Sequence, residues 1–115
     1  MPMLLVVPKR HLEHVVTDLT EQDYLAIMRT VRLVALAAED VLGGERTYLF
    51  SLGSQAGNSH LHWHIARLPH GVPYEQQQFE ALAFTNGHLA YTPAERAELA
   101  DRLRQAITAR ATAVG

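Results

Sequence analysis

Three histidines at alternate positions, His60, His62 and His64, are the residues whose types and spacing most directly indicate chemistry. In a β-strand, side chains two residues apart point to the same face, so this spacing predicts three imidazoles roughly 7 Å apart from one to the next. The residues predicted on the opposite face are apolar: Leu61, Trp63 and Ile65. The pattern therefore predicts a strand from Ser59 to Leu68 that buries one face and presents the histidines on the other.

Imidazoles in this arrangement are compatible with three kinds of function. They can form a hydrogen-bonded polar face, although any polar residue would serve that purpose. They can also deliver two or three nitrogens to a zinc-like ion, which His11, His14 or His70 could join through folding. In the third interpretation, a neutral imidazole attacks phosphorus while its neighbours fix its tautomer, and water then cleaves the phosphoramidate. The spacing by itself leaves metal binding and nucleophilic catalysis open.

The segment before the first histidine contains residues that favour tight turns: Gly53, Ser54, Gln55, Ala56, Gly57 and Asn58. Gly53, Gly57 and Asn58 tolerate positive φ angles, which turn successive backbone N–H groups toward one point. Such a nest suits phosphate oxygens. The segment is therefore a candidate phosphate-binding loop.

Two motifs carry a resemblance to a known family. His60-Leu61-His62-Trp63-His64-Ile65-Ala66 resembles the signature of the histidine-triad family of nucleotide hydrolases and transferases, in which histidine alternates with apolar residues. Leu5-Val6-Val7-Pro8-Lys9-Arg10-His11 is similar to the strand-to-loop segment of the same family, which reads Leu-Val-Ile-Pro-Lys, then Lys or Arg, then His. The resemblance extends from Met3 to about Pro69.

The resemblance implies a nucleotidyl transfer through a covalent intermediate. The middle histidine, His62, would attack the α-phosphorus of a small-molecule nucleotide, and water or another acceptor would release the nucleotide. His60 and His64 would orient the nucleophile and contact the phosphate or the leaving group, and His11 would support the same cluster. Phosphoramidase and dinucleoside polyphosphate hydrolase are both activities of this type. The scheme requires no metal and no other cofactor.

The resemblance also implies where the substrate would be held. Ser51 corresponds to a polar residue at the end of the preceding strand, and Gly57, Asn58 and Ser59 would contact the substrate from the loop. Family members commonly read Gly-Gln-x-Val before the first histidine. This chain departs from that order, because it has Gln55-Ala56-Gly57-Asn58-Ser59.

Family members usually carry a hairpin and a helix ahead of the segment that here begins at Met3. The resemblance therefore implies a short, bacterial-type member that lacks this N-terminal segment. The sheet edge exposed in this way would be closed by a second copy, which predicts a homodimer. Two alternatives to an enzyme stay open: a non-catalytic nucleotide-binding or interaction module, and a three-histidine metal-binding protein.

The remaining sequence predicts elements that can position the histidines. Met3–Val7 predicts a strand buried on both faces, and Arg46–Leu52 predicts a second strand. Apolar residues at three- and four-residue steps predict a helix from Thr20 to Leu42. Thr20 and Asp23 resemble a capping box, and the helix would end at Gly43-Gly44.

Two further helices are predicted in the C-terminal part, from Tyr74 to Asn86 and from Thr92-Pro93 onward. The last helix has a stripe of apolar residues: Leu99, Leu103, Ala106 and Ile107. The order of elements predicts an α+β fold with a small antiparallel sheet packed with helices. We expect residues 1–69 to form the core and residues 70–115 to form a helical C-terminal extension of the same domain.

Composition excludes several other classes of function. The chain has 115 residues and a net charge of −2, so it is long enough for one domain and carries no basic field for nucleic acid. Its apolar runs, such as Met3 to Val7, are far shorter than the roughly 20 residues of a membrane-spanning helix. The absence of cysteine excludes disulfides, thiolate metal sites and a cysteine nucleophile. We expect a cytoplasmic protein without nucleic-acid or membrane partners.

Overall fold

The computed structural model describes residues 3–51, 60–82 and 92–113. Within these residues, a three-stranded antiparallel sheet lies between α1 on one face and α2 on the other, and α3 packs against α1. The elements in chain order are β1 (Met3–Val6), α1 (Glu21–Leu42), β2 (Arg46–Phe50), β3 (Trp63–Leu68), a 3-10 turn (Tyr74–Gln76), α2 (Gln77–Leu82) and α3 (Pro93–Ala113). The predicted α+β fold class is confirmed, and none of the helices described is long and apolar enough to cross a membrane.

The strand β3 lies at the centre of the sheet, because the strand order is β1-β3-β2. His64 of β3 is the cross-strand partner of Leu5 in β1 and of Phe50 in β2. The prediction that the N-terminal strand is buried on both faces is wrong, since Leu5 is 52% exposed. The reason is that α1 covers only the face of β1 that carries Leu4 and Val6.

The helix α1 confirms its predicted boundaries. The Thr20 hydroxyl accepts a hydrogen bond from the backbone N–H of Asp23 at 3.1 Å, which satisfies one of the donors left open in the first turn. At the other end Gly44 has a φ of 99°, and a Cβ there would lie 2.6 Å from the carbonyl oxygen of Leu68. Only glycine allows the chain to pass so close to β3 in this conformation. The end of α1 is thereby held against the end of the central strand.

The strand that carries the histidines is shorter than predicted. β3 begins at Trp63, so His60 and His62 precede the strand and only His64 lies within it. The apolar side of the pattern is confirmed, because Leu61, Trp63 and Ile65 are all buried in the cluster that packs against α1. The opposite face of β3 differs from the prediction of a face lined by histidines. Beyond His64 that face consists of buried apolar residues packed against α2: Ala66 and Leu68.

Gln77 connects α2 to β2. Its side chain is only 1% exposed, and its amide oxygen accepts hydrogen bonds from the Arg46 guanidinium at 2.7 Å and the Tyr48 hydroxyl at 3.0 Å. Its amide nitrogen donates to the carbonyl oxygen of Val72 at 3.1 Å and to the Glu45 carboxylate. These bonds satisfy the buried amide and fix α2 against the sheet. The predicted helix 74–86 begins with a 3-10 turn and is described as far as Leu82; its last part lies outside the described residues.

The helix α3 begins where the sequence predicts. Thr92 and Glu95 form a reciprocal capping box, in which each side chain accepts from the backbone N–H of the other at 3.1 and 3.2 Å. Leu103 of the predicted stripe is buried, and Arg110 donates two hydrogen bonds to the Asp40 carboxylate of α1 at 2.7 and 2.8 Å. The Arg110 guanidinium lowers the pKa of Asp40, so this pair stays ionised at neutral pH. Apolar contact and a forked ion pair together hold α3 on α1.

We predict that Trp63→Ala lowers the free energy of unfolding by about 3 to 5 kcal/mol, because it leaves a cavity between the sheet and α1. Trp63 is 6% exposed and lies within the buried cluster that α1 covers. Denaturation with urea measures the effect. Leu5→Ala on the exposed side of β1 is the control and should cost much less. Equal losses for the two variants would show that the two faces of the sheet are assigned wrongly.

Candidate active site

The tautomer of His62 is set by the main chain. Its Nδ1 lies 2.9 Å from the carbonyl oxygen of His60, and a carbonyl oxygen can only accept a hydrogen bond. Nδ1 therefore carries the hydrogen, and in the neutral ring the lone pair lies on Nε2. The residue is 7% exposed, so little water competes for this hydrogen bond. A buried imidazole with a fixed tautomer is suited to nucleophilic attack through Nε2.

Ser51 holds the main chain of His62 in place. It directly follows β2, and its hydroxyl donates a hydrogen bond to the carbonyl oxygen of His62 at 2.7 Å. This contact ties the end of β2 to the turn before β3. The structure thus brings Ser51 next to the histidine cluster. The hydrogen of its hydroxyl group is used in the bond to the main chain of His62. Contact between Ser51 and a substrate stays a prediction.

His64 lies between the ring of Phe50 and the ring of His62. The Phe50 and His64 rings stack with centroids 4.5 Å apart and planes 12° from parallel. The His62 and His64 rings meet edge to face, with centroids 4.7 Å apart. Burial lowers the pKa of His64 below its usual value near 6.5, and proximity to His62 lowers that pKa further. His64 is therefore neutral at neutral pH, next to the imidazole of His62.

His60 connects the cluster to the loop that follows β1. Its Nε2 donates to the carbonyl oxygen of Pro8 at 2.9 Å, and its Nδ1 lies 3.0 Å from Nδ1 of His11. His11 Nε2 in turn lies 3.3 Å from a carboxylate oxygen of Glu13. The structure thus brings His11 into contact with His60, and support of the nucleophile by His11 stays a prediction. Both ring nitrogens of His60 have protein partners, so its ring serves to position the loop, and its predicted contact with phosphate stays untested.

Several predicted site residues fall elsewhere. Gly57, Asn58 and Ser59 lie outside the described residues. Two histidines considered as additional metal ligands, His14 and His70, are exposed, and neither joins the cluster. Among the residues described, no group of three or more histidine or carboxylate side chains could hold a metal ion. The described geometry thus gives no support to the three-histidine metal site.

Sequence reasoning missed three partners of the histidines: the Pro8 carbonyl, Glu13 and Phe50. Glu13 stands only two residues after His11, a spacing that indicates proximity only once the loop is known to turn. Phe50 was available from the sequence in principle, because it opposes His64 once the register of β2 and β3 is known. The Pro8 carbonyl has no signal in the sequence, since any residue supplies such an oxygen.

Comparison with known protein families matches the part of the chain that contains the histidine cluster. A family model described as the HIT domain matches residues 2–69, more than half of the chain. No curated protein matches the chain in sequence.

Solved structures share the fold of the chain. A histidine triad (HIT) protein from Sinorhizobium meliloti 1021 has a TM-score of 0.70 and 24% identity, with 90% of this chain and 73% of that chain covered. A Zn-bound histidine triad family protein from Mycobacterium smegmatis has a TM-score of 0.65 and 24% identity, covering 96% of this chain and 72% of that one. A hypothetical histidine triad nucleotide-binding protein from Sulfolobus tokodaii strain 7 has a TM-score of 0.64 and 20% identity, covering 92% and 69%. The TM-scores show that these proteins share a fold with the chain, and at sequence identities this low the comparison shows the fold alone.

We predict that His64 makes the stability of the protein depend on pH. Its pKa in the folded state is lowered by burial and by His62, whereas the unfolded chain takes up the proton near pH 6.5. The stability that it contributes is therefore present above about pH 6.5 and is lost as the pH falls through the folded pKa. His64→Gln should reduce the loss of melting temperature between about pH 7.5 and pH 5.

Melting temperatures measured across this pH range test the assignment. His70→Gln, which changes an exposed histidine outside the cluster, is the matched control and should leave the pH dependence unchanged. Parallel curves for the wild type and His64→Gln would contradict the assignment.

Proposed function

The chain belongs to the HIT-domain, or histidine-triad, family, and on that premise we propose that it is a nucleotide hydrolase or nucleotidyl transferase that acts at an α-phosphorus. The observation that carries the proposal is the hydrogen bond from His62 Nδ1 to the carbonyl oxygen of His60, which leaves the lone pair of a neutral ring on Nε2. Nε2 of His62 is the atom that attacks. The substrate is a small-molecule nucleotide, and no metal takes part.

In the first step, a bond forms between His62 Nε2 and the α-phosphorus while the bond to the leaving group breaks and its electron pair departs with that group. Because His62 keeps the hydrogen on Nδ1, its ring becomes positively charged as the bond forms. The carbonyl oxygen of His60 accepts from that nitrogen at 2.9 Å and stabilises the growing charge. The adjacent His64 is neutral, since burial lowers its pKa, and so it does not repel that charge.

In the second step, water or another acceptor attacks the phosphorus of the nucleotidyl-histidine and releases one proton to the solvent. The positively charged imidazole leaves as a neutral ring, which restores the starting tautomer of His62. Ser51 helps to keep this ring in place, because it bonds the carbonyl oxygen of the same residue at 2.7 Å. The ring of His64 lies edge to face against that of His62, and in this proposal His64 contacts the phosphate or the leaving group. Nucleoside phosphoramidates and dinucleoside polyphosphates are the substrate classes that the proposal includes.

A cytoplasmic location is part of the proposal, since a chain without cysteine needs no oxidising compartment for disulfide formation.

We predict that incubation of the purified protein with adenosine phosphoramidate or diadenosine polyphosphate releases AMP and forms a nucleotidyl adduct on His62. His62→Asn should lower the rate by at least about 10³-fold, because asparagine can still donate to the His60 carbonyl but has no nucleophilic nitrogen. AMP release and mass spectrometry of the adduct are the measurements. His14→Asn, at an exposed histidine outside the cluster, is the matched control.

Wild-type turnover by His62→Asn would overturn the assignment of the nucleophile. Nucleotide binding by the wild type without any turnover would show a non-catalytic nucleotide-binding module instead.

We also propose that two copies associate through the edge of β2. Leu49 of β2 and Leu82 of α2 are 52% and 48% exposed, and they line a groove of about 220 Å³ between these two elements. Antiparallel pairing of β2 with the β2 of a second copy would bond the backbone groups of this edge. The same contact would cover the apolar groove by two-fold symmetry.

We predict that the wild-type protein is a dimer and that Leu49→Lys makes it a monomer, because a charged side chain at the pairing edge opposes its own symmetric copy. Light scattering coupled to size-exclusion chromatography measures the mass. Leu5→Lys, an equally exposed leucine of the other edge strand, is the control and should stay dimeric. A wild-type protein that is monomeric at about 100 μM, a concentration well above the micromolar range of specific association, would overturn the proposal.

A further inference from the structure

Four groups form a continuous chain of hydrogen bonds at the edge of the histidine cluster: the Pro8 carbonyl, His60, His11 and Glu13. The consecutive separations are 2.9 Å from Pro8 O to His60 Nε2, 3.0 Å between the two Nδ1 atoms, and 3.3 Å from His11 Nε2 to Glu13 Oε1. We propose that Glu13 is a positioning residue that holds one extra proton on the His11 and His60 pair. This inference rests on the proposed function, in which the same histidines support the nucleophile.

The extra proton follows from counting hydrogens. A carbonyl oxygen at one end and an ionised carboxylate at the other can only accept, so each needs a hydrogen from the adjacent ring nitrogen. The contact between the two Nδ1 atoms at 3.0 Å needs one further hydrogen. Two neutral imidazoles carry two nitrogen-bound hydrogens, whereas this chain uses three. The pair therefore carries one positive charge, which the Glu13 carboxylate balances.

The loop that carries Glu13 is itself fixed by hydrogen bonds. The Asp18 carboxylate accepts from the backbone N–H of Glu13 at 3.1 Å and from that of His14 at 3.0 Å. These two bonds lower the pKa of Asp18, which therefore stays ionised when the solution is mildly acidic. Asp18 holds the main chain of Glu13, and Glu13 holds the ring of His11.

Three further groups near the pair, Arg10, His62 and His64, have identified partners among the described residues. Arg10 in the same loop lies 3.4 Å from the Asp23 carboxylate of α1. On the side of the sheet, His62 and the neutral His64 are in ring contact with each other. Among these groups, Glu13 is the carboxylate in contact with His11.

In the proposed reaction, the hydrogen-bonded pair holds His60, and His60 holds the ring of the nucleophile His62. His60 is held at both ring nitrogens, and its own carbonyl oxygen fixes the tautomer of His62 at 2.9 Å. Loss of the Glu13 charge lets the pair lose its third hydrogen and replaces a charge-assisted hydrogen bond with a weaker neutral one, so His60 and its carbonyl oxygen are held less firmly.

Glu13→Gln tests this proposal, because glutamine can donate its amide hydrogen to His11 Nε2 and so satisfy a pair of neutral rings. Imidazole ¹⁵N spectra at pH 7 distinguish the two states. We expect three nitrogens of the wild-type pair to bear hydrogen and two in Glu13→Gln. Glu98→Gln, at an exposed glutamate of α3, is the matched control and should keep three.

Kinetics provide a second measurement on the same variants. We expect Glu13→Gln to lower kcat about tenfold, a barrier increase of about 1.4 kcal/mol, with a smaller change in KM. A wild-type pair with only two hydrogen-bearing nitrogens, or three retained in Glu13→Gln, would overturn the inference. Because the spectra need no substrate, they decide the role of Glu13 even if the wild type shows no turnover and the proposed function fails.

Discussion

Burial of the central strand β3 from both sides is the constraint on which the arrangement depends. One face of β3 lies against α1 through Trp63 and Ile65, and the other lies against α2 through Ala66 and Leu68. A strand covered in this way has no room for a polar row along its whole length. The histidines lie at the beginning of β3 and in the turn before it, ahead of the β3 residues that pack against α2. The apolar contact with α2 thus marks where the polar cluster ends along β3.

Hydrogen-bond direction then organises the cluster. Main-chain carbonyl oxygens of Pro8 and His60 can only accept, so each fixes which nitrogen of a histidine ring carries hydrogen. Ser51 adds a donor to the main chain of His62. Tautomers set by main-chain carbonyl oxygens are less sensitive to side-chain motion than those set by other side chains. The main chain between His60 and His62 is held by a hydrogen bond from the Leu61 N–H to the carbonyl oxygen of Leu12 at 2.6 Å. This is the arrangement that a nucleophilic imidazole needs before a substrate arrives.

Much of this fold could be predicted from the sequence because its signals are local. The cap at Thr20, the glycines after Leu42 and the capping box at Thr92 set the helix ends, and each acts within a few residues. The extent of β3 and the cover over its second face could not be predicted, since they depend on how Gln77 docks α2 from a distance along the chain. The exposed side of β1 was missed for the same reason: a run of apolar residues does not show which strand lies at the edge.

For the site, spacing identified His60, His62 and His64 but treated them as three equivalent rings on one strand. Tertiary contacts make them different. His60 is tied to the loop after β1, His62 is buried with its tautomer fixed, and His64 is stacked on Phe50 with its pKa lowered by burial. A positive charge on His11 would cost little free energy, because the side chain is exposed and lies near the Glu13 carboxylate. A positive charge on His64, beside His62, is disfavoured by burial. The same residue type thus differs from position to position: His11 meets a carboxylate at the exposed rim, whereas the buried surroundings keep His64 neutral beside His62.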